Sequence, residues 1–181
     1  YPVINNHDLH HAYYDPYGGY LKARAATQYV RDAFLKEGGV YFQGEVVPGK
    51  HIDVNGIKLS NGTQLRANAY LFACGSWLGE LFPNVLGDTI TCTKQEVYYF
   101  GTPKADSLAF ENLPVWVDVD GKDFYYGIPG NAHRGFKIGV DPRGEIFNPT
   151  SGDRTVTWEV LQKARNFVAH RFPKLSGAPL I

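Results

Sequence analysis

Methionine is absent from all 181 positions, the first included. Cysteine occurs twice, at Cys74 and Cys92, at no spacing that suits a metal site or a disulfide framework. Both lie in apolar, strand-like sequence, which predicts buried free thiols in a reducing, cytoplasmic setting. No apolar run approaches the roughly 20 residues that span a bilayer, so no membrane partner is expected. Net charge is missing as well. Eighteen basic and eighteen acidic residues cancel without a Lys/Arg cluster, which argues against nucleic acid. Tyr1 to His10 is polar and lacks the apolar stretch of a signal peptide. With no initiating Met and an end on Leu180-Ile181, the sequence reads as an internal fragment of a longer protein. Nothing in it sets an oligomeric state.

What is present is the composition of a globular chain, 44% hydrophobic and 14% aromatic. That is enough for one core, or one domain plus a piece of another. Residues 1–17 read as an irregular lead-in with a short strand near His11 to Tyr14. Gly18-Gly19 opens a helix whose apolar face is Leu21, Ala25, Tyr29, Val30, Ala33 and Phe34. Gly38-Gly39 ends it, with Lys36 in the last turn. Val40-Tyr41-Phe42 follows as a short buried strand, so helix, glycine and strand make an α/β unit.

Two Asn-Gly pairs, Asn55-Gly56 and Asn61-Gly62, sit among Ile52, Val54, Ile57, Leu59, Leu65 and Ala67. In series they predict a three-stranded meander. Tyr70 to Cys74 is apolar throughout and reads as a strand buried on both faces. It stops at Gly75-Ser76, and helical turns follow from Trp77 to Phe82. That junction is either a tight turn or a place where backbone approaches a ligand.

From Ile90 the pattern changes. Strands are predicted over 91–100, 115–119, 124–128 and 136–140, forming an antiparallel sheet. Thr157 is a candidate N-cap for a helix with the stripe Val160, Leu161, Ala164, Phe167 and Val168, and Pro173 stops it. Lys137 interrupts the apolar strand Phe136 to Val140. It is either a solvent-face lysine or a cation with a task, since an unpaired buried Lys is costly.

The order of certain runs resembles one family. Asp15 to Leu21 opens the helix, and the meander leads to Phe72-Ala73-Cys74-Gly75-Ser76-Trp77. Lys94-Gln95-Glu96-Val97, Tyr125-Tyr126-Gly127-Ile128-Pro129 and Gly135-Phe136-Lys137-Ile138-Gly139 follow. This resembles the D-amino-acid oxidase superfamily of FAD-dependent oxidoreductases, in its sarcosine-oxidase-like branch. The resemblance implies a mixed α/β fold: part of a Rossmann-like FAD-binding domain with a meander, interleaved with an antiparallel-sheet substrate domain. Residues 18–89 would belong to the FAD domain, and 1–17 and 90–181 to the substrate domain.

The implied activity is oxidation of the C–N bond of a small-molecule amine or amino acid to an imine. Electrons pass to oxygen or another acceptor. A dehydrogenase subunit and a non-catalytic module are the other classes compatible with this fold. The family's G-x-G-x-x-G phosphate turn does not occur in these 181 residues.

The resemblance also assigns roles. Gly75 and Ser76 match small residues at a strand end beside the cofactor; a plain turn is the alternative. Val46 matches a position whose backbone meets the adenine end, or is a core valine. Tyr126 matches a tyrosine lining the substrate cavity, or is a packing aromatic. Lys137 matches a lysine beside the flavin that favours reaction with oxygen. Neither Cys74 nor Cys92 matches the flavin-linked cysteine of some members. Four residues after Lys137 the sarcosine oxidases carry His, whereas this chain has Asp141. His133, followed by Arg134, is the nearest substitute. A carboxylate at 141 either favours a basic amine over sarcosine or pairs with Lys137 or Arg134.

Overall fold

The structure is a computed structural model and describes residues 1–47, 56–102, 112–120, 123–130, 134–141 and 143–181. The chain divides into two compact units. One comprises residues 22–93 and 146–152, the other residues 1–21, 94–145 and 153–181.

The unit of residues 22–93 and 146–152 opens with helix α1, Ala23–Lys36. It starts four residues after Gly19, since the chain first turns at Asp15, whose backbone and side-chain oxygens accept from Gly18 and Tyr17. Gly39 N–H closes the far end onto Phe34 O. Of the predicted stripe, Leu21 precedes the helix and the rest lies on it but uncovered: no residue of α1 is buried. Val40-Tyr41-Phe42 is not a buried strand. Val40 is 78% exposed, and the segment joins no ladder.

Strands β1 (Ile57–Lys58) and β2 (Gln64–Leu65) form an antiparallel hairpin around Asn61-Gly62. The third strand of the predicted meander is supplied from Glu45 to Val47, with Val46 bridged to Leu59. Ile52, Val54 and Asn55 lie outside the described residues.

Tyr70 to Cys74 is also not a strand, and Leu71 is 94% exposed. A run buried on both faces needs a ladder on each side, and no strand among the described residues pairs with it. The His11–Tyr14 segment likewise joins no strand ladder among them, and Tyr13 is exposed. After Cys74 come a 3-10 turn, Gly75–Trp77, and the short helices α2 (Leu78–Leu81) and α3 (Pro83–Leu86). Both cysteines are free, as expected, but half-buried rather than buried.

The other unit is a four-stranded antiparallel sheet packed on one helix. Its strands are β3 (Val97–Phe100), β4 (Trp116–Asp120), β5 (Asp123–Ile128) and β6 (Phe136–Val140), in the order β3-β6-β5-β4. The predicted first strand over 91–100 is shorter, and Thr93 only bridges to Ile146.

Alternation sets the two faces. Tyr98, Phe100, Tyr125, Phe136, Ile138 and Val140 point to the core. They meet Leu161, Ala164, Phe167 and Val168 of helix α4, Trp158–Arg171, together with Phe172 and Leu175. Tyr125 stacks on Phe167, with ring centroids 3.9 Å apart. Each such side chain gains about 1.5–3 kcal/mol from burial.

Two charged clusters tie this unit together. Thr157 occupies the N-cap of α4, but its side chain makes no cap bond. Its N–H donates instead to the Glu96 carboxylate, 3.1 Å from both oxygens. Glu96 also accepts from Tyr98 hydroxyl at 2.5 Å and pairs with Lys94 at 3.2 Å. Burial pushes the Glu96 carboxyl up, but the bonds from Thr157, Tyr98 and Lys94 outweigh it and hold it low. A depressed carboxylate stabilises the fold above its unfolded value, about 4.3, and loses that effect as pH falls through the folded value. Glu96→Gln is therefore expected to weaken the fold at neutral pH and to flatten its loss of stability from about pH 5 downward. Chemical unfolding across that range measures it; an unchanged slope contradicts the assignment.

The second cluster centres on Arg171, 4% exposed, at the end of α4. Its Nε lies 2.6 Å from Oδ2 of Asp118, which is 8% exposed on β4, at an angle poor for a hydrogen bond. Its Nη1 donates to Asp8 Oδ1 at 2.7 Å and also to Asn5 O. Arg171 O accepts from Asn5 N–H at 2.8 Å, so the N-terminal segment is fastened to the end of α4.

Candidate active site

The face of the sheet opposite the core holds the candidate residues in three rows, fixed by register. The first runs Gln95, Asp141, Phe124; the second Val97, Gly139, Tyr126, Val117; the third Tyr99, Lys137, Ile128. Gln95 and Asp141 fall opposite each other by continuing the β3–β6 register two positions beyond Val97 and Gly139. Asp141 N–H donates to Phe124 O at 2.9 Å, which continues the β5 ladder in the same way. Apolar neighbours are exposed here: Val97, Val117, Val119 and Phe124. An exposed apolar face carrying a few polar groups is characteristic of an interaction surface.

The phenol end of Tyr126 lies over Gly139. A Cβ built on Gly139 would stand 2.3 Å from Tyr126 Cζ, so only glycine admits the ring there. Lys137 Nζ lies 5.5 Å from the centroid of the same ring, within cation–π reach. Burial first, then the negative charge of Asp141, then Tyr99 push the Tyr126 phenol up. It stays protonated at neutral pH and is available as a hydrogen-bond donor.

Lys137 is half-buried, on the face away from Ile138 and the core. It forms no ion pair with Asp141 among the described residues. Four residues along a strand span about 13 Å, so sharing a face does not bring the two charges together. Asp141 does not pair with Arg134 either; its Oδ1 accepts from Gln95 Nε2. Arg134 is exposed, and His133 lies outside the described residues.

Gly75, Ser76 and Val46 belong to the other unit. Gly75 has φ +52, and a Cβ there would meet nothing within 4 Å. Its backbone is open to close approach. The Gly75–Trp77 turn is braced within its unit by the returning segment 146–152. Trp77 Nε1 donates to Thr150 Oγ1 at 3.0 Å, Asn148 Nδ2 donates to Glu80 Oε1 at 2.7 Å, and Cys92 Sγ contacts Ser76 O at 3.2 Å. Val46 faces Leu59 in a pair flanked by Val47 N–H to Lys58 O and Ser60 N–H to Glu45 O. In such a pair the residue's own N–H and C=O point away from the partner strand.

The sequence matches the DAO family, described as FAD dependent oxidoreductase, over residues 1–180. The chain belongs to this family. No curated protein matches it. A solved structure similar to it is the iminodiacetate oxidase from Chelativorans sp. BNC1, with a TM-score of 0.56 and 17% identity. The match covers 87% of this chain and 40% of that one, and it is a likeness of fold. This chain thus spans 40% of the length of that neighbour.

The DAO family is FAD dependent. Within the unit of residues 22–93 and 146–152, the open backbone at Gly75 and the outward backbone groups of Val46 suit such a group; within the other unit, taken by itself, the lysine on an apolar, aromatic face does. Among the described residues no cluster of metal-ligating side chains occurs, and no helix is long and apolar enough to cross a membrane.

Sequence reasoning missed three residues of this arrangement. Gln95 stands in a run that carries the family resemblance, and nothing in the sequence gives it a role. Tyr99 was read only as part of a strand. Gly139 carried a signal, since a glycine inside an apolar strand marks a close approach.

Proposed function

We propose that this chain carries the substrate-facing sheet of an enzyme that oxidises the C–N bond of an amine or amino acid. The single observation that carries this reading is Lys137 lying against Tyr126 over Gly139, on an apolar face turned away from the core. FAD, when bound, supplies a two-electron acceptor for hydride from the carbon next to nitrogen. Gly75 and Ser76 would meet it at one turn, and Val46 at the adenine end. The imine left on the substrate adds water and separates into a carbonyl compound and an amine.

In this reading Tyr126 and Asp141 line the substrate cavity, residues 90–181 with 1–17 belong to the substrate domain, and residues 18–89 belong to the FAD domain. Tyr126, kept neutral, donates a hydrogen bond and forms an apolar wall that keeps water away. Lys137 presents a fixed positive charge where electrons leave for oxygen. A small-molecule substrate is the expected partner.

The test is product analysis of the FAD-loaded full-length protein with panels of primary amines, secondary amines and 2-hydroxy acids. Release of a carbonyl compound and an amine in equal amounts, with one hydrogen peroxide each, is expected from an amine. Turnover confined to 2-hydroxy acids contradicts the reading.

A further inference from the structure

The outward face of the sheet is bipolar. Lys137 stands toward one end of β6 and Asp141 just past the other, about 13 Å apart along the chain. Gly139 lies between them beneath the Tyr126 ring. Asp141 is exposed, and its hydrogen-bonding partner is the neutral amide of Gln95. No cation among the described residues pairs with it. Its partners in the register are Gln95 and Phe124, and Val97, Gly139 and the neutral Tyr126 stand in the next row, so none of them offers a positive charge. A carboxylate held by a neutral donor on an apolar face keeps its charge for a ligand. An ion pair would have consumed it.

We propose that Gln95 and Asp141 form a cation-reading subsite at one end of the substrate floor, so that the preferred substrate carries a second cationic group. This rests on the amine-oxidising reading and names its substrate class: an amino acid or amine with a basic tail. Asp141 contacts the tail. Gln95 is a positioning residue that fixes the carboxylate, its amide spending one of the acceptor positions and leaving the rest. Lys137 repels the tail from the other end, so the two charges together orient the substrate along β6.

The test compares N-methyl-lysine with N-methyl-norleucine, both enantiomers of each, on the FAD-loaded full-length protein. The two probes share the same carbon chain and differ in the terminal ammonium group. The lysine derivative is expected to have kcat/KM at least about 5-fold higher. Asp141→Asn is expected to bring the ratio toward one. Gln95→Leu is expected to lower it through KM rather than kcat, a split that general loss of structure would not give. Flavin content and the chemical-unfolding midpoint report folding of each variant. If both probes are oxidised with equal kcat/KM by the unaltered protein, this inference falls and the amine reading stands. If other amines are oxidised but neither probe is, this inference again falls alone. If no amine is oxidised, both fall.

Discussion

Replacing Lys137 with Met is expected to slow reoxidation of the reduced enzyme by oxygen on the order of 100-fold, with reduction by substrate far less affected. The reasoning starts from placement. Lys137 is half-buried on the outward face, flanked across the ladder by Tyr99 and Ile128, with its ammonium over the Tyr126 ring. A cation in such partly apolar surroundings is less screened than one in bulk water. Transfer of an electron to oxygen creates negative charge, and a preorganised cation stabilises it without reorganisation of solvent. Hydride transfer from the substrate also places negative charge on its acceptor, but there the charge is spread over a large ring system, so one cation matters less than for the compact oxygen anion. The substitution keeps an unbranched, apolar stem one atom shorter, so the loss reports chiefly the charge. Stopped-flow measurement of the two half-reactions separates them. Equal slowing of both, or unchanged reoxidation, returns Lys137 to a solvent-face lysine.

Arg171→Met is expected to destabilise the fold by about 3–5 kcal/mol. The substitution leaves Asp118 on the core face of β4 with its partner gone, and removes the bonds from Arg171 to Asp8 and to Asn5 O. A buried charge without a partner costs much more than the pair contributes net. Asp118→Val combined with Arg171→Met is therefore expected to recover most of the loss, because Val suits a strand and leaves no charge behind. Chemical unfolding of the full-length protein measures both. Additive losses in the double variant would show that the charge of Asp118 is not what the single variant exposes.

How much of this was legible depended on what each segment needed in order to form. Strands β4, β5 and β6 and helix α4 were readable because they cover one another, so their patterns record their own partners. Val40-Tyr41-Phe42 and Tyr70 to Cys74 were misread for the complementary reason. An apolar run says that a segment seeks burial, not that a ladder is at hand, and neither segment has one among the described residues. The stripe of α1 was read correctly, yet its residues have no cover there. Lys137 was legible as a charge in an apolar strand. The tie from Gln95 to Asp141 was not, because it depends on the register between β3 and β6, which sequence pattern leaves open. The same holds for Arg171. Its place in the helix was predictable, but Asp118 and Asp8 reach it only through the fold.

The central claim is that the outward face of β3, β6 and β5 forms the substrate wall beside the flavin. The most direct measurement is a crystal structure of the FAD-loaded full-length protein with a substrate-like amine. The expected result is the reactive end of the cofactor facing Lys137 and Tyr126, with the amine between them and its tail toward Asp141. A structure in which other parts of the protein cover that face, with the cofactor elsewhere, would contradict the account.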